Sequence, residues 1–143
     1  MSTITVAAAV IERDGVFLLT RRLKGTHLEG TWEFPGGKCE PRETPAACLV
    51  REIREELGSG VVIGELMLVT RHAYPERTVE LHFYEARLTN EPSPQIGQQM
   101  RWAGREELET LEFPEADAEL IRMLVAKRRA HDGATARRHE DTL

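Results

Sequence analysis

The chain has 143 residues and a formal net charge of −5, with 41% hydrophobic and 30% charged residues. That length is enough for one domain with its own core and too short for two of ordinary size. An acidic balance argues against a binder of nucleic-acid polymers, which carries a basic field. The opening apolar stretch from Ile4 to Ile11 lacks the basic flank and cleavage site of a signal peptide, and nothing approaches the length of a membrane span. The expected setting is therefore the cytoplasm, with no membrane partner. In reducing conditions Cys39 and Cys48, whose spacing is not that of a metal site, are expected to stay as thiols.

Apolar, β-branched runs from Thr3 to Glu12 and from Val16 to Arg22 flank Asp14-Gly15, which predicts a hairpin. Lys24 to Gly30 is a polar loop, and Thr31 to Phe34 leads into a tight turn at Gly36-Gly37. Thr44 is a good N-cap with Pro45 at the first helical position, and Gly58 supplies the permissive end of a helix running to Leu57. At about 100° per residue, Ala46, Leu49, Val50, Ile53 and Leu57 form its apolar face. Val61 to Ala73 and Thr78 to Leu88 read as antiparallel strands about a Pro75-Glu76 turn, with Val79, Leu81 and Phe83 on one face. After a loop from Asn90 to Gln98 come a short strand from Met100 to Ala103 and a helical turn from Arg105 to Leu108. Pro114 to Arg129 is an amphipathic helix, with Ala118, Ile121, Leu124 and Val125 expected inward. Residues 1–130 form the expected domain and 131–143 a disordered, solvated tail. The order of elements implies an α/β fold with a mixed sheet between helices.

Glu52, Glu55 and Glu56 fall on one arc of the first helix, beside its apolar face. Like charges so close destabilise a helix, and a solvated acidic face balanced by Arg51 and Arg54 is the plain alternative. The glycine turn before them favours a different role. Carboxylates at i, i+3 and i+4, with a backbone carbonyl from a tight turn, offer a hard cation the oxygen ligands it prefers.

From Gly37 through Glu43, Arg51-Glu52 and Glu55-Glu56 to Gly58, the chain resembles the Nudix box, G-x5-E-x7-R-E-U-x-E-E-x-G-U, where U is a bulky apolar residue. Only the last position departs, being Ser59. The likeness covers about residues 3 to 126 and is nearest the MutT-type branch, through Trp32-Glu33-Phe34-Pro35-Gly36-Gly37-Lys38, Thr20-Arg21-Arg22, His27 and Phe113-Pro114-Glu115-Ala116-Asp117. It implies an α/β/α sandwich and an enzyme that cleaves nucleoside triphosphates, modified ones included, to monophosphate and pyrophosphate with Mg2+ or Mn2+. The implied metal set is the Gly36 carbonyl, Glu52, Glu55 and Glu56, with Arg51 and Glu43 holding loop and helix together. The expected partner is a small nucleotide, and the expected assembly a monomer or homodimer. A diphosphatase for ADP-ribose or dinucleoside polyphosphates is the alternative within the fold. A noncatalytic nucleotide-sensing module is the alternative outside it, disfavoured by intact box glutamates.

Arg22 and Lys38 are the candidates for phosphate contact, and His27 for a contact from the loop. Alternation puts Trp32 and Phe34 on one face, where aromatic rings could stack on a base. MutT-type enzymes often carry a glutamate six residues before the tryptophan of the short late strand. Here that position is Ile96, so Glu52 is the expected substitute for activating water. Asp117 stands where enzymes of this branch specific for oxidised guanine have an asparagine. Ionised, it would only accept hydrogen bonds, which suits the exocyclic amine of cytosine.

Overall fold

The computed structural model describes residues 2–127. The expected tail at 131–143, and the last helical positions Arg128 and Arg129, lie outside them.

Strand β1 (Thr3–Val10) lies inside a four-stranded sheet with β5 (Gly36–Lys38), β6 (Val61–Ala73) and β7 (Thr78–Leu88), in the order β5-β1-β7-β6. β1 runs antiparallel to β5 and parallel to β7, so the sheet is mixed. The expected hairpin of two long strands forms only at its tip. β2 (Glu12–Arg13) pairs with β3 (Val16–Arg21) around Asp14 and Gly15, both at positive φ. Ile11 belongs to no strand, and there the chain passes from the first sheet to a second. In that second sheet β3 pairs with β4 (Trp32–Glu33) and with β8 (Met100–Gly104). Local turn chemistry is thus obeyed, while β1 itself pairs with β5 and β7.

The period of two along β1 feeds two cores. Ala7, Ala9 and Ile11 face Cys48, Leu49, Ile53 and Leu57 of helix α1 (Pro45–Leu57), whereas Ala8 and Val10 face Phe17, Leu19, Leu81 and Phe83. The alanines are small enough to let α1 lie close on the sheet. Each fully buried Leu, Ile or Phe in these cores contributes about 1.5–3 kcal/mol by leaving water. Both faces of the sheet are therefore covered, which is the α/β/α sandwich expected.

Short helix α2 (Arg105–Leu108) follows β8. A 3-10 turn at Glu115–Asp117 then opens a helix, α3, over residues 118–127. That turn changes the phase of α3. Ala116, Leu120 and Leu124 are buried with Ile121 beside them, and Ala118, expected inward, is exposed. On α1 the expected apolar face holds at Leu49, Ile53 and Leu57, but Val50 is 40% exposed and Cys48 takes its place inside. Cys48 is joined to Cys39 in a disulfide with Cα atoms 5.2 Å apart, correcting the expectation of two thiols. The correction has a geometric cause. Cys39 prolongs the β1–β5 pairing through its N–H to the Thr5 carbonyl, and the strap it begins doubles back onto the first turns of α1.

Candidate active site

Helix α1 is fixed at both ends by its own sequence. The Thr44 side chain accepts from the Ala47 N–H, and Gly58 takes the left-handed conformation with φ 65° while its N–H reaches the Arg54 carbonyl. The glycine turn is fixed by close approach. A Cβ on Gly36 would stand 2.0 Å from the Ala7 carbonyl oxygen, and one on Gly37 would stand 2.4 Å from the Glu52 carboxyl carbon. The Glu52 carboxylate therefore lies directly on the backbone of the turn.

Arg51 organises the strap between turn and helix. Its Nε and Nη2 donate to the two carboxylate oxygens of Glu43 at 2.6 and 2.8 Å, a bidentate pair. Its Nη1 reaches Glu52 at 3.0 Å and Glu55 at 3.2 Å, and Nη2 also donates to the Lys38 carbonyl. Hydrogen bonding from Arg51, then from the Glu40 backbone, holds the Glu43 carboxyl down at about 2.

Above this strap opens a cleft of about 380 Å³. Glu52, Glu56, Gly36, Gly37 and Lys38 line one end, and Asp117, Tyr74, Pro114 and Ala116 the other. Arg22 and Glu33 stand on the wall they share, joined by a 3.0 Å ion pair. Burial first, then Glu52 and Glu33, push the Glu56 carboxyl up to about 8. Burial also raises Glu33, with Arg22 opposing it.

Among the described residues no three acidic, cysteine or histidine side chains converge on one point, and Arg51 Nη1 reaches both Glu52 and Glu55. The donor chemistry nonetheless suits a divalent cation. Glu52 and Glu56 adjoin in the cleft, and two neighbouring carboxylates that resist joint ionisation are stabilised by a bound positive charge. Glu55 is 58% exposed and does not line the cleft.

The other expected site residues divide. Arg22, His27, Lys38 and Phe34 all line the cleft. Phe34 is only 3% exposed, however, stacked on Phe113 at 5.7 Å and edge-on to Phe83 at 6.2 Å, so its ring serves mainly as packing. Trp32 is not in the cleft. It packs against the core that holds Phe34, as alternation predicts, but its ring lies near the Arg21 and Arg101 guanidinium groups, at 5.5 and 5.4 Å. Asp117 is 3% exposed, and burial, followed by the charge of Glu33, pushes its carboxyl up to about 8. Both causes favour the protonated carboxyl over the ionised acceptor expected from the sequence.

Ile96 is 49% exposed and lines a smaller recess beside Glu33 and Glu56. Its loop is tied to the end of α1 by the Gln95 N–H and Gln98 Nε2, both on the Glu56 carbonyl. The nearby acid Glu91 is committed to Arg13 at 2.8 Å. Glu33, Tyr74 and Arg77 were missed from sequence. A charged residue between two aromatics, at Glu33, was the available signal, whereas Tyr74 and Arg77 sit at a hairpin tip that only folding brings to the cleft.

The NUDIX domain family matches the chain over residues 6–123. The chain belongs to the Nudix family. An 8-oxo-dGTP diphosphatase of Haemophilus influenzae is 37% identical over 127 residues, covering 85% of this chain and 91% of that one. A CTP pyrophosphohydrolase of Escherichia coli is 45% identical over 82 residues, which is 57% of this chain and 61% of the relative. The solution structure of the E. coli ORF135 protein matches with a TM-score of 0.80 at 36% identity, covering 91% of this chain and 94% of that one. This Nudix hydrolase is of the MutT type. Its one departure from the box has a local reason: Ser59 is wholly buried, and its hydroxyl lies within hydrogen-bond reach of the Gly60 and Asn90 carbonyls.

Proposed function

We propose that this Nudix enzyme hydrolyses modified nucleoside triphosphates to monophosphate and pyrophosphate with Mg2+ or Mn2+, and that it takes both 8-oxoguanine and cytosine-type nucleotides. One observation carries the reading: a single cleft joins the Glu52–Glu56 end to the buried Asp117 end. Its volume of about 380 Å³ is in the range of small-molecule sites.

Glu52, Glu55 and Glu56, with the Gly36 carbonyl, are the groups that would hold the cation, which when bound neutralises charge developing on the phosphates. Arg22 and Lys38 add fixed positive charge along the path of the phosphate chain. Glu52, on the backbone of the turn, is the carboxylate assigned to take the proton of the attacking water, since the late loop offers only Ile96 at the usual position.

At the far end a neutral Asp117 presents one O–H donor and one carbonyl acceptor side by side. That pair matches the N7–H donor and O6 acceptor of 8-oxoguanine, and equally the N4 amine and N3 acceptor of cytosine. On that same N7/O6 edge unmodified guanine offers no such pair, because its N7 and O6 both accept. A substrate panel tests the reading. Pyrophosphate should be released from 8-oxo-dGTP and CTP with kcat/KM at least about tenfold above that for dGTP. Faster formation of AMP from ADP-ribose would overturn it in favour of a diphosphatase for that class.

A further inference from the structure

We infer that Thr70, His72 and Tyr74, three side chains at alternate positions of β6 and its end, are positioning residues for base recognition, because they hold the turn that aims Asp117 into the cleft. The inference rests on the reading of Asp117 given above. A 3-10 turn of three residues has poor hydrogen-bond geometry and little stability of its own, so Glu115–Asp117 needs outside anchors.

β6 supplies them at i, i+2 and i+4, positions that share one side of an extended chain. The Thr70 hydroxyl donates to the Ala116 carbonyl at 3.3 Å. His72 Nε2 lies 3.4 Å from a Glu115 carboxylate oxygen. The Tyr74 hydroxyl lies beside the Ala116 backbone and the Asp117 carboxyl, both of which act on its ionisation. Each residue of the turn is thus addressed from the same strand.

Tyr74 does more than the other two. Its ring meets His72 at 4.6 Å and, edge-on, His27 at 5.0 Å. His27 is in turn fixed through its carbonyl, which accepts from Arg22 Nε. Tyr74, His27 and Asp117 all line the cleft. The ring therefore links three segments distant in sequence: the loop after β3, the end of β6 and the turn before α3. None of the three rungs involves Glu52, Glu55 or Glu56, so loosening them alters how the base is met and leaves the hydrolytic end intact.

The test compares kcat and KM for 8-oxo-dGTP and dGTP in the wild type, Tyr74→Phe, Thr70→Val and Asp117→Leu. Tyr74→Phe keeps the ring and removes the hydroxyl beside Ala116 and Asp117, so the preference for 8-oxo-dGTP should fall about fivefold. The fall should come through KM, with kcat at saturating 8-oxo-dGTP and the melting temperature unchanged. Thr70→Val should move the preference the same way and stands in for Tyr74→Phe if that variant folds poorly. Asp117→Leu should abolish the preference. If it does, yet both β6 variants keep the wild-type ratio, the positioning role is wrong while the base reading stands. If Asp117→Leu leaves the ratio intact, the base reading falls and the inference with it. A drop in kcat shared equally by both substrates in the β6 variants would mark general loosening and also overturn the assignment.

Discussion

The two ends of the cleft are built by opposite means. The hydrolytic end is assembled almost wholly within residues 36–58: a glycine turn, a strap closed by Glu43 and Arg51, and a helix with its own caps. The base end gathers Arg22 and Glu33 from the second sheet, Tyr74 from a hairpin and Asp117 from a 3-10 turn, all separated widely in sequence. Continuous chain makes geometry that survives small changes elsewhere. A pocket made from four separate segments can be retuned one wall at a time. The proposed function puts chemistry on the first kind of construction and selectivity on the second.

The sharpest way to break this contrast is at the helix. Glu56→Gln or Glu52→Gln should lower kcat more than about 100-fold in saturating Mg2+, with an unchanged circular dichroism spectrum and an unchanged preference between 8-oxo-dGTP and dGTP. Near wild-type turnover would detach these carboxylates from the chemistry, and a changed preference would show that the two ends are not separate.

Arg51→Lys probes the strap. Lysine cannot reproduce the bidentate contact with Glu43 while also reaching Glu52. A loss of about 10–100-fold in kcat is expected. Acid should act on the same clamp in the wild type. The Glu43 carboxyl sits at about 2 in the fold against an ordinary 4.5, so its contribution to stability is complete above the ordinary value and is lost as pH falls toward the folded one. The variant should show a flatter decline of melting temperature across that acid window.

The smallest effect is expected at Asp117. Asparagine offers the same donor and acceptor as a neutral carboxyl, so Asp117→Asn should leave the preference for 8-oxo-dGTP nearly intact at neutral pH. The difference should appear above about pH 8, where the wild-type carboxyl ionises and loses its donor. Stability has the corresponding sign. The folded carboxyl keeps its proton to about 8 against an ordinary 3.8, so the folded state binds more protons in that window and loses stability as pH rises through it. Asp117→Asn should therefore gain melting temperature over the wild type in alkali and not in acid. Parallel melting and kinetic profiles for the two proteins would remove the assignment.

What could be read from the sequence follows the same division. Caps and the glycine turn are short-range signals that spacing alone places, while the metal role of the box carboxylates and the Arg51–Glu43 pairing come from the resemblance to the family. The two long strands about Pro75 were equally legible, because alternation and a proline turn are local signals. The partner of β1 was not. A hairpin signal at Asp14-Gly15 says how the chain turns, and says nothing about which sheet the preceding strand will join. The shared side of Trp32 and Phe34 was legible too, but which of the two reaches the cleft depends on contacts from distant segments. The charge of Asp117 is not legible locally, because burial and the nearby Glu33, which favour its protonated form, come from distant segments.

The Cys39–Cys48 bridge gives the strap over α1 a second, chemically different fastening. It encloses Glu43 and the Thr44 cap within one covalent ring. Acid that protonates Glu43 undoes the ionic fastening and leaves the ring closed. A reductant opens the ring and leaves the guanidinium clamp in place. The two fastenings thus answer to different agents, one to protons and the other to electrons.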